Sequence, residues 1–280
     1  MKRAMLFVLL LATGFSPVLY AAPSACPANF LAGQAPDLVN PRLASRAYAL
    51  CFSEFAVLDS GLTRTPLYSA DHLTASRVAE AERQKRSNAA QSFHEEARLP
   101  IDERSILADY ARSGYDRGHM SPNGDMDNPV AQGESFTLAN MIPQNPDDNR
   151  NLWEGIEEAT RGLATRYGEV YVVTVPIFAG AQTLWLHNRV AIPAHIAKAV
   201  YVPALHGAGV YYVDNQAGMY WKTISVEDLK QMTGIDVFPG LPESMKRTAI
   251  ALPTPTPHGG RPSSSAHFYR RSASRRRNSW

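Results

Sequence analysis

The chain is 280 residues long, 45% hydrophobic and 19% charged: enough apolar side chain for a sizeable core, and too ordinary a composition for bulk disorder. Its two cysteines cannot staple a disulfide-built scaffold. The formal net charge of +2 hides a division: setting aside Lys2, Arg3 and the six arginines beyond Pro253 leaves about 20 basic against 26 acidic residues, so any polyanion binding by the body must come from local arginines.

Taken in chain order, residues 1–21 carry the pattern of an export signal. Lys2 and Arg3 precede an apolar stretch from Ala4 to Phe15 and a small-residue end at Tyr20-Ala21-Ala22. Cleavage is expected after Ala21, because Pro23 hinders a cut after Ala22, and the mature protein is expected to be secreted or periplasmic. Beyond that signal no apolar run approaches the ~20 residues of a membrane-spanning helix. Cys26 and Cys51, an even pair in an exported chain, predict one disulfide tying the N-terminal segment to the body. Lipidation of Cys26 competes less well, since Pro23 stands where such signals usually carry Leu.

Residues 22–60 read as a loop-rich segment with Pro27, Pro36 and Pro41, and Asp71 to Ala90 as an exposed helix or loop. A turn-rich region runs from Leu99 to Gly114, and Ser135 to Met141 alternates as a strand does. Asn151 to Arg166 predicts a helix, with Leu152, Ile156, Ala159 and Leu163 on one face. Asn151 and Glu154 fit a capping box, and Asn145-Pro146 offers an earlier start. Glu169 to Phe178 is β-branched and predicts a central strand. Further strands are expected at Arg189–Ile192, Ala199–Pro203 and Gly209–Val213, and a short helix at Val226–Met232 closed by Thr233-Gly234. Residues 61–251 form the expected single mixed α+β domain, and residues 252–280, rich in Pro, then Ser and Arg, read as a disordered tail.

The residues from 115 to 161 could carry chemistry. His119 follows Gly118, and Arg117, a permanent cation, precedes both; Asn140, Asn149, Glu157 and Arg161 lie further on. A near-neutral imidazole, an oxygen-ligand site and paired arginines are what metal-assisted phosphodiester hydrolysis requires. Asn149, Trp153, Glu157 and Arg161 step by four along the expected helix. In a regular helix Asn149 and Glu157 would be ~12 Å apart along the axis, which argues against both ligating one ion directly. Each residue also has a plainer reading. His119 can be a satisfied structural histidine, Asp116 and His119 two ligands of one metal, Glu157 and Arg161 a surface ion pair, and Asn149 a helix cap.

Together, SGYDRGHMSP (113–122), NMIPQ (140–144), and Asn149 with Leu152-Trp153 and Glu157 resemble the sugar-non-specific DNA/RNA endonucleases, the Serratia-type and endonuclease G-like family. TGIDVFPGLP (233–242) resembles that family's closing segment, so the likeness runs from about residue 60 to 250. The resemblance implies a mainly antiparallel central sheet with helices and a ββα-metal active-site motif, acting on DNA and RNA and leaving 5′-phosphates. It implies that His119 is the general base and Asn149 the protein ligand of a Mg²⁺ otherwise bound by waters, with Mn²⁺ as a substitute. Glu157 then fixes one of those waters, Arg117 and Arg161 contact phosphate or stabilise the transition state, Asn140 supports the catalytic geometry, and Asp116 anchors the motif without touching the metal. One feature departs from the pattern: the family's further arginine, some thirty residues before the histidine, falls at Ser-Asn-Ala-Ala (87–90), where Arg86 and Arg83 are the nearest candidates for the substrate-binding role. A catalytically degenerate nucleic-acid-binding protein and a small-substrate phosphodiesterase are the rival readings, and the sequence leaves monomer and homodimer both open.

Overall fold

The computed structural model describes residues 25–84 and 92–257; the expected export signal, Arg86 and the tail arginines lie outside the described residues. In chain order the elements begin with β1 (Asp37–Leu38), β2 (Ala47–Cys51), β3 (Phe55–Ser60), β4 (Thr65–Thr74), α1 (Ala75–Arg83) and α2 (Leu107–Tyr110). Then come β5 (Asp116–His119), α3 (Pro129–Ser135), β6 (Met141–Gln144), α4 (Pro146–Asp148), a π-helical stretch Asn149–Trp153 and α5 (Glu154–Tyr167). The chain continues through β7 (Glu169–Ile177), β8 (Leu184–Leu186), β9 (Val190–Ile192), β10 (His195–Val202), β11 (Gly207–Asp214) and β12 (Trp221–Ile224) to α6 (Val226–Thr233), β13 (Ile235–Asp236) and α7 (Glu243–Lys246).

Seven strands form the main sheet in the order β12-β11-β10-β7-β4-β3-β2, every neighbouring pair antiparallel. This is the expected α+β class with an antiparallel sheet. The β-branched run Glu169–Ile177 takes the central place because both its faces are covered, and its period of two divides the core. Val170 and Val172 join Leu73, Leu152, Trp153, Ile156 and Leu163 under α5, while Val173 and Val175 join Leu229, Phe238 and Leu241 on the opposite face. Truncating one of these aliphatic side chains to Ala would cost ~2–5 kcal/mol.

The long helix starts at the earlier of the two predicted points. Asn145 Oδ1 accepts from the Asp147 and Asp148 amides, and Pro146 occupies the first position, where a missing N–H costs nothing. Asn151 therefore lies inside the helical run, its amide bonded to Asp147, and the predicted capping box does not form. The helix ends at Gly168, whose φ of +95° favours glycine.

Four other expectations are corrected. Asp71 is not on an exposed polar segment but fully buried in β4; the helix that follows starts only at Ala75, capped by Thr74 Oγ1. Ser135–Met141 is not a strand. Ser135 ends α3, which Asn128 caps by accepting from the Val130 and Ala131 amides, Leu138–Asn140 form a 3-10 turn, and the strand runs from Met141 to Gln144. The loop-rich reading of residues 22–60 fails from Ala47 on, because β2 and β3 pair with each other and β3 pairs with β4, carrying the sheet across residue 60. Finally, order continues past residue 252. Tyr211 Oη donates to the Pro253 carbonyl at 2.8 Å, and the bare Cα of Gly155 lets the Thr256 backbone lie against the helix where a Cβ would collide. Of the other expected strands, Val190–Ile192 pairs with β8 in a separate hairpin, whereas the segments around 199–203 and 209–213 belong to β10 and β11 of the main sheet.

Cys26 and Cys51 meet as an unlinked, hydrogen-bonded thiol pair at the edge of the sheet; burial and the neighbouring thiol push the Cys51 pKa up to about 12. No helix among the described residues is long and apolar enough to cross a membrane.

Candidate active site

β5 and β6 form an antiparallel hairpin, Asp116 opposite Gln144 and His119 opposite Met141, and the chain leaves β6 directly into the helical run 146–167. This is a ββα unit. It closes tightly at Gly118, because a Cβ there would overlap the Gln144 carboxamide. That carboxamide donates to Asp148 Oδ2 at 2.7 Å and so ties the hairpin to the start of the helix.

Asp116 makes the second tie. Its carboxylate receives Arg150 in a bidentate pair, at 2.8 and 2.7 Å, and Oδ2 also accepts from Asn149 Nδ2 at 3.0 Å. With Nδ2 bonded to Asp116, the Asn149 amide is held at its nitrogen end, and no side chain among the described residues donates to its oxygen. A half-buried neutral oxygen fixed in this way suits a hard cation that keeps most of its waters. Among the described residues no group of three or more His, Cys, Asp or Glu could hold a metal instead. Asp116 thus ties the hairpin to the start of the helical run through Asn149 and Arg150. The π-helical stretch from Asn149 to Trp153 replaces the steady four-residue step assumed between Asn149 and Glu157; single π turns in α-helices commonly mark functional positions.

His119 ends β5 with its ring half-buried. Phe136 lies at 85° to it with centroids 4.9 Å apart, and Phe93 is 5.9 Å away. Nε2 is buried without a partner, which leaves Nδ1 as the accessible nitrogen. Burial alone drives the pKa down to about 4, so the ring is neutral at pH 7 and able to accept a proton. Arg117 stacks on Phe93, its guanidinium carbon 4.1 Å from the ring centroid, and pairs with no carboxylate among the described residues. It is a cation available for phosphate.

Glu157 and Arg161 do not form the surface ion pair that their spacing allowed. Arg161 Nη1 binds Asp125 Oδ1 at 2.9 Å, and Asp125 is 2% exposed. Burial raises the Glu157 pKa to about 8, against the opposing pull of Lys198 and then Arg161. Asn140 is an interior pin and not a surface group: its oxygen accepts from Ser69 Oγ and the Ser121 amide, and its nitrogen donates to the Ser121 and Ser135 carbonyls, all at 2.9–3.0 Å. Those bonds hold Ser121, two residues after His119, in the interior. Trp153 is 1% exposed and is a core anchor. Arg83 pairs with Glu80 on α1 and is 70% exposed, while Arg86 lies outside the described residues.

Sequence reasoning missed Asp125, Lys198 and the Phe93–Phe136 pair around the histidine. Lys198 left a signal, a lone lysine in the apolar run Ile196–Val202, buried to 1%. Asp125, in Asn-Gly-Asp, left none.

A family model described as DNA/RNA non-specific endonuclease matches residues 38–244. Nuclease C1 of Cunninghamella echinulata var. echinulata is 32% identical over 195 residues, spanning 62% of this chain and 76% of that protein. Mitochondrial nuclease EXOG of Danio rerio is 29% identical over 199 residues, 64% of this chain, which spans little more than half (57%) of that relative. A chain from the crystal structure of the EndoG/EndoGI complex superposes with a TM-score of 0.62 at 24% identity, covering 75% of this chain and 95% of that one; this likeness is one of fold.

Proposed function

This chain belongs to the DNA/RNA non-specific endonuclease family, and from that premise we propose an exported hydrolase that cuts phosphodiester bonds of DNA and RNA with one Mg²⁺, replaceable by Mn²⁺, leaving 5′-phosphates. The observation that carries the reading is the Asp116–Asn149 hydrogen bond, which couples the strand ending in His119 to an amide oxygen oriented for a cation.

His119 takes a proton from the attacking water at Nδ1. Its pKa near 4 makes it a weak base in the free protein, and a docked phosphate, being negative, raises that basicity. Arg117 and Arg161 meet the phosphate oxygens. Asp125 fixes Arg161 by one nitrogen and leaves the rest of the guanidinium for the substrate. Asn149 Oδ1 would hold the cation, with Glu157 as acceptor for its hydration shell; when bound, the ion supplies charge neutralisation at the leaving oxygen.

Incubating purified protein with plasmid and with RNA, with Mg²⁺ and with EDTA, tests the reading. Cleavage of both substrates is expected, abolished by the chelator. Binding without cleavage would support the degenerate binding protein, and cleavage of a dinucleotide in a parallel incubation, with plasmid and RNA left intact, the small-substrate phosphodiesterase.

A further inference from the structure

We propose that Lys198 is a positioning residue of the cleavage site, its ammonium group setting the helix that carries Asn149 and Glu157 against the strand that ends in His119. The inference rests on the roles just given to His119 and Glu157.

Lys198 sits mid-strand in β10, opposite Thr174 of β7, on the sheet face covered by α5. At 1% exposure it has lost its hydration and must find replacements inside the protein. Nζ donates to Thr174 Oγ1 at 2.9 Å and to the Met120 carbonyl at 3.5 Å, and lies 5.2 Å from the centre of a Trp153 ring. Met120 directly follows His119, and Trp153 stands midway between Asn149 and Glu157 in sequence. One cation therefore contacts both halves of the ββα unit from beneath.

The charges around it explain why a lysine is there. Among the cations acting on Glu157, Lys198 is the strongest, ahead of Arg161. It also acts on Asp71, which is fully buried, bonded to Ser121 and left with a second oxygen unpartnered. Asp125 and Glu154 add to the acids, while Arg161, bonded to Asp125, and Arg77, itself paired with Glu54 at 3.1 Å, add to the cations, so carboxylates outnumber cations in this group. Packing alone would be met by an apolar side chain. A lysine instead bonds Thr174 and the Met120 carbonyl and favours the ionised forms of Glu157 and Asp71 beside it.

The experiment is a double-mutant cycle on the full chain with Lys198→Met, Glu157→Gln and the pair, reading kcat and KM on plasmid DNA and following folding by circular dichroism. Lys198→Met is expected to fold and to lose kcat by ~10–100-fold, with KM within ~3-fold of the parent. In the Glu157→Gln background the same change is expected to cost less than ~3-fold more, because both substitutions break one coupled unit. If Lys198→Met does not fold, Lys198→Gln, which keeps a polar group near Thr174 but not the charge, carries the same cycle with the same expected non-additivity. Losses that multiply, or wild-type kcat in a folded Lys198→Met, would overturn the inference. Wild-type activity in Glu157→Gln would instead overturn the role given to Glu157.

Discussion

Replacing Asp116 by Ala separates holding the fold from holding the site. The substitution removes three hydrogen bonds, two of them to Arg150, whose side chain is 68% exposed and so screened by water that these bonds add little stability. The third, from Asn149 to a carboxylate that is one-fifth exposed, contributes ~1 kcal/mol, which in a domain of this size lowers Tm by ~2–4 °C. The functional cost is larger, because the Asn149 amide loses the partner that holds its nitrogen end. Loss of such an orienting partner weakens a metal site by ~10–100-fold. Titrating Mg²⁺ into a plasmid-nicking assay should show the half-maximal concentration rising by that factor, with activity recovering at saturating Mg²⁺. Asp116→Asn, which keeps an acceptor for Asn149 but not the bidentate pair, should fall between the two. An unchanged Mg²⁺ requirement in a folded Asp116→Ala protein would refute the reasoning.

Asp59 is buried with one oxygen unpartnered, and burial raises its pKa to about 8, so its folded form keeps a proton that the unfolded chain gives up near pH 4. Its contribution to stability is present below pH 4 and fades as pH rises to 8. Melts at pH 5 and pH 8 should show a smaller difference for Asp59→Asn than for the parent, and an equal or larger one would contradict this. Gly118→Ala forces a Cβ into the Gln144 carboxamide and should cost ~1–3 kcal/mol in denaturant unfolding together with most of the activity; a stable, active variant would mean the hairpin closes differently. Protein recovered from an exporting host should begin at Ala22 and resist thiol alkylation until reduced, since Cys26 and Cys51 already touch. Rapid alkylation of both without reductant would count against the disulfide.

The sheet's centre was legible because Glu169–Ile177 is apolar on both faces, and the long helix because its apolar residues recur at helical spacing. Asp71 misled because the polar run that follows it reads as exposed; in the fold Ser121 bonds it and Lys198 acts on it, both distant in sequence. Cap chemistry at Asn128-Pro129 and Asn145-Pro146 was readable and more reliable than alternation or a box motif. The site motif fixed which residues meet, through the hairpin and helix adjacent in sequence. It did not reveal what supports them from afar: Asp125 under Arg161 and Lys198 under Trp153 are 36 and 45 residues from their partners, and no local pattern encodes such contacts.

In the proposed reaction Asn149 holds the cation and His119 moves the proton. Binding of Mn²⁺, followed by the loss of its free paramagnetic signal, tests it in parent, His119→Ala and Asn149→Ala proteins whose cleavage rates are measured in the same samples. The expected result is parental Mn²⁺ affinity with cleavage lowered by ~10²–10⁴-fold in His119→Ala, and loss of both affinity and cleavage in Asn149→Ala. Undiminished Mn²⁺ binding by Asn149→Ala, or near-normal cleavage by His119→Ala, would contradict it.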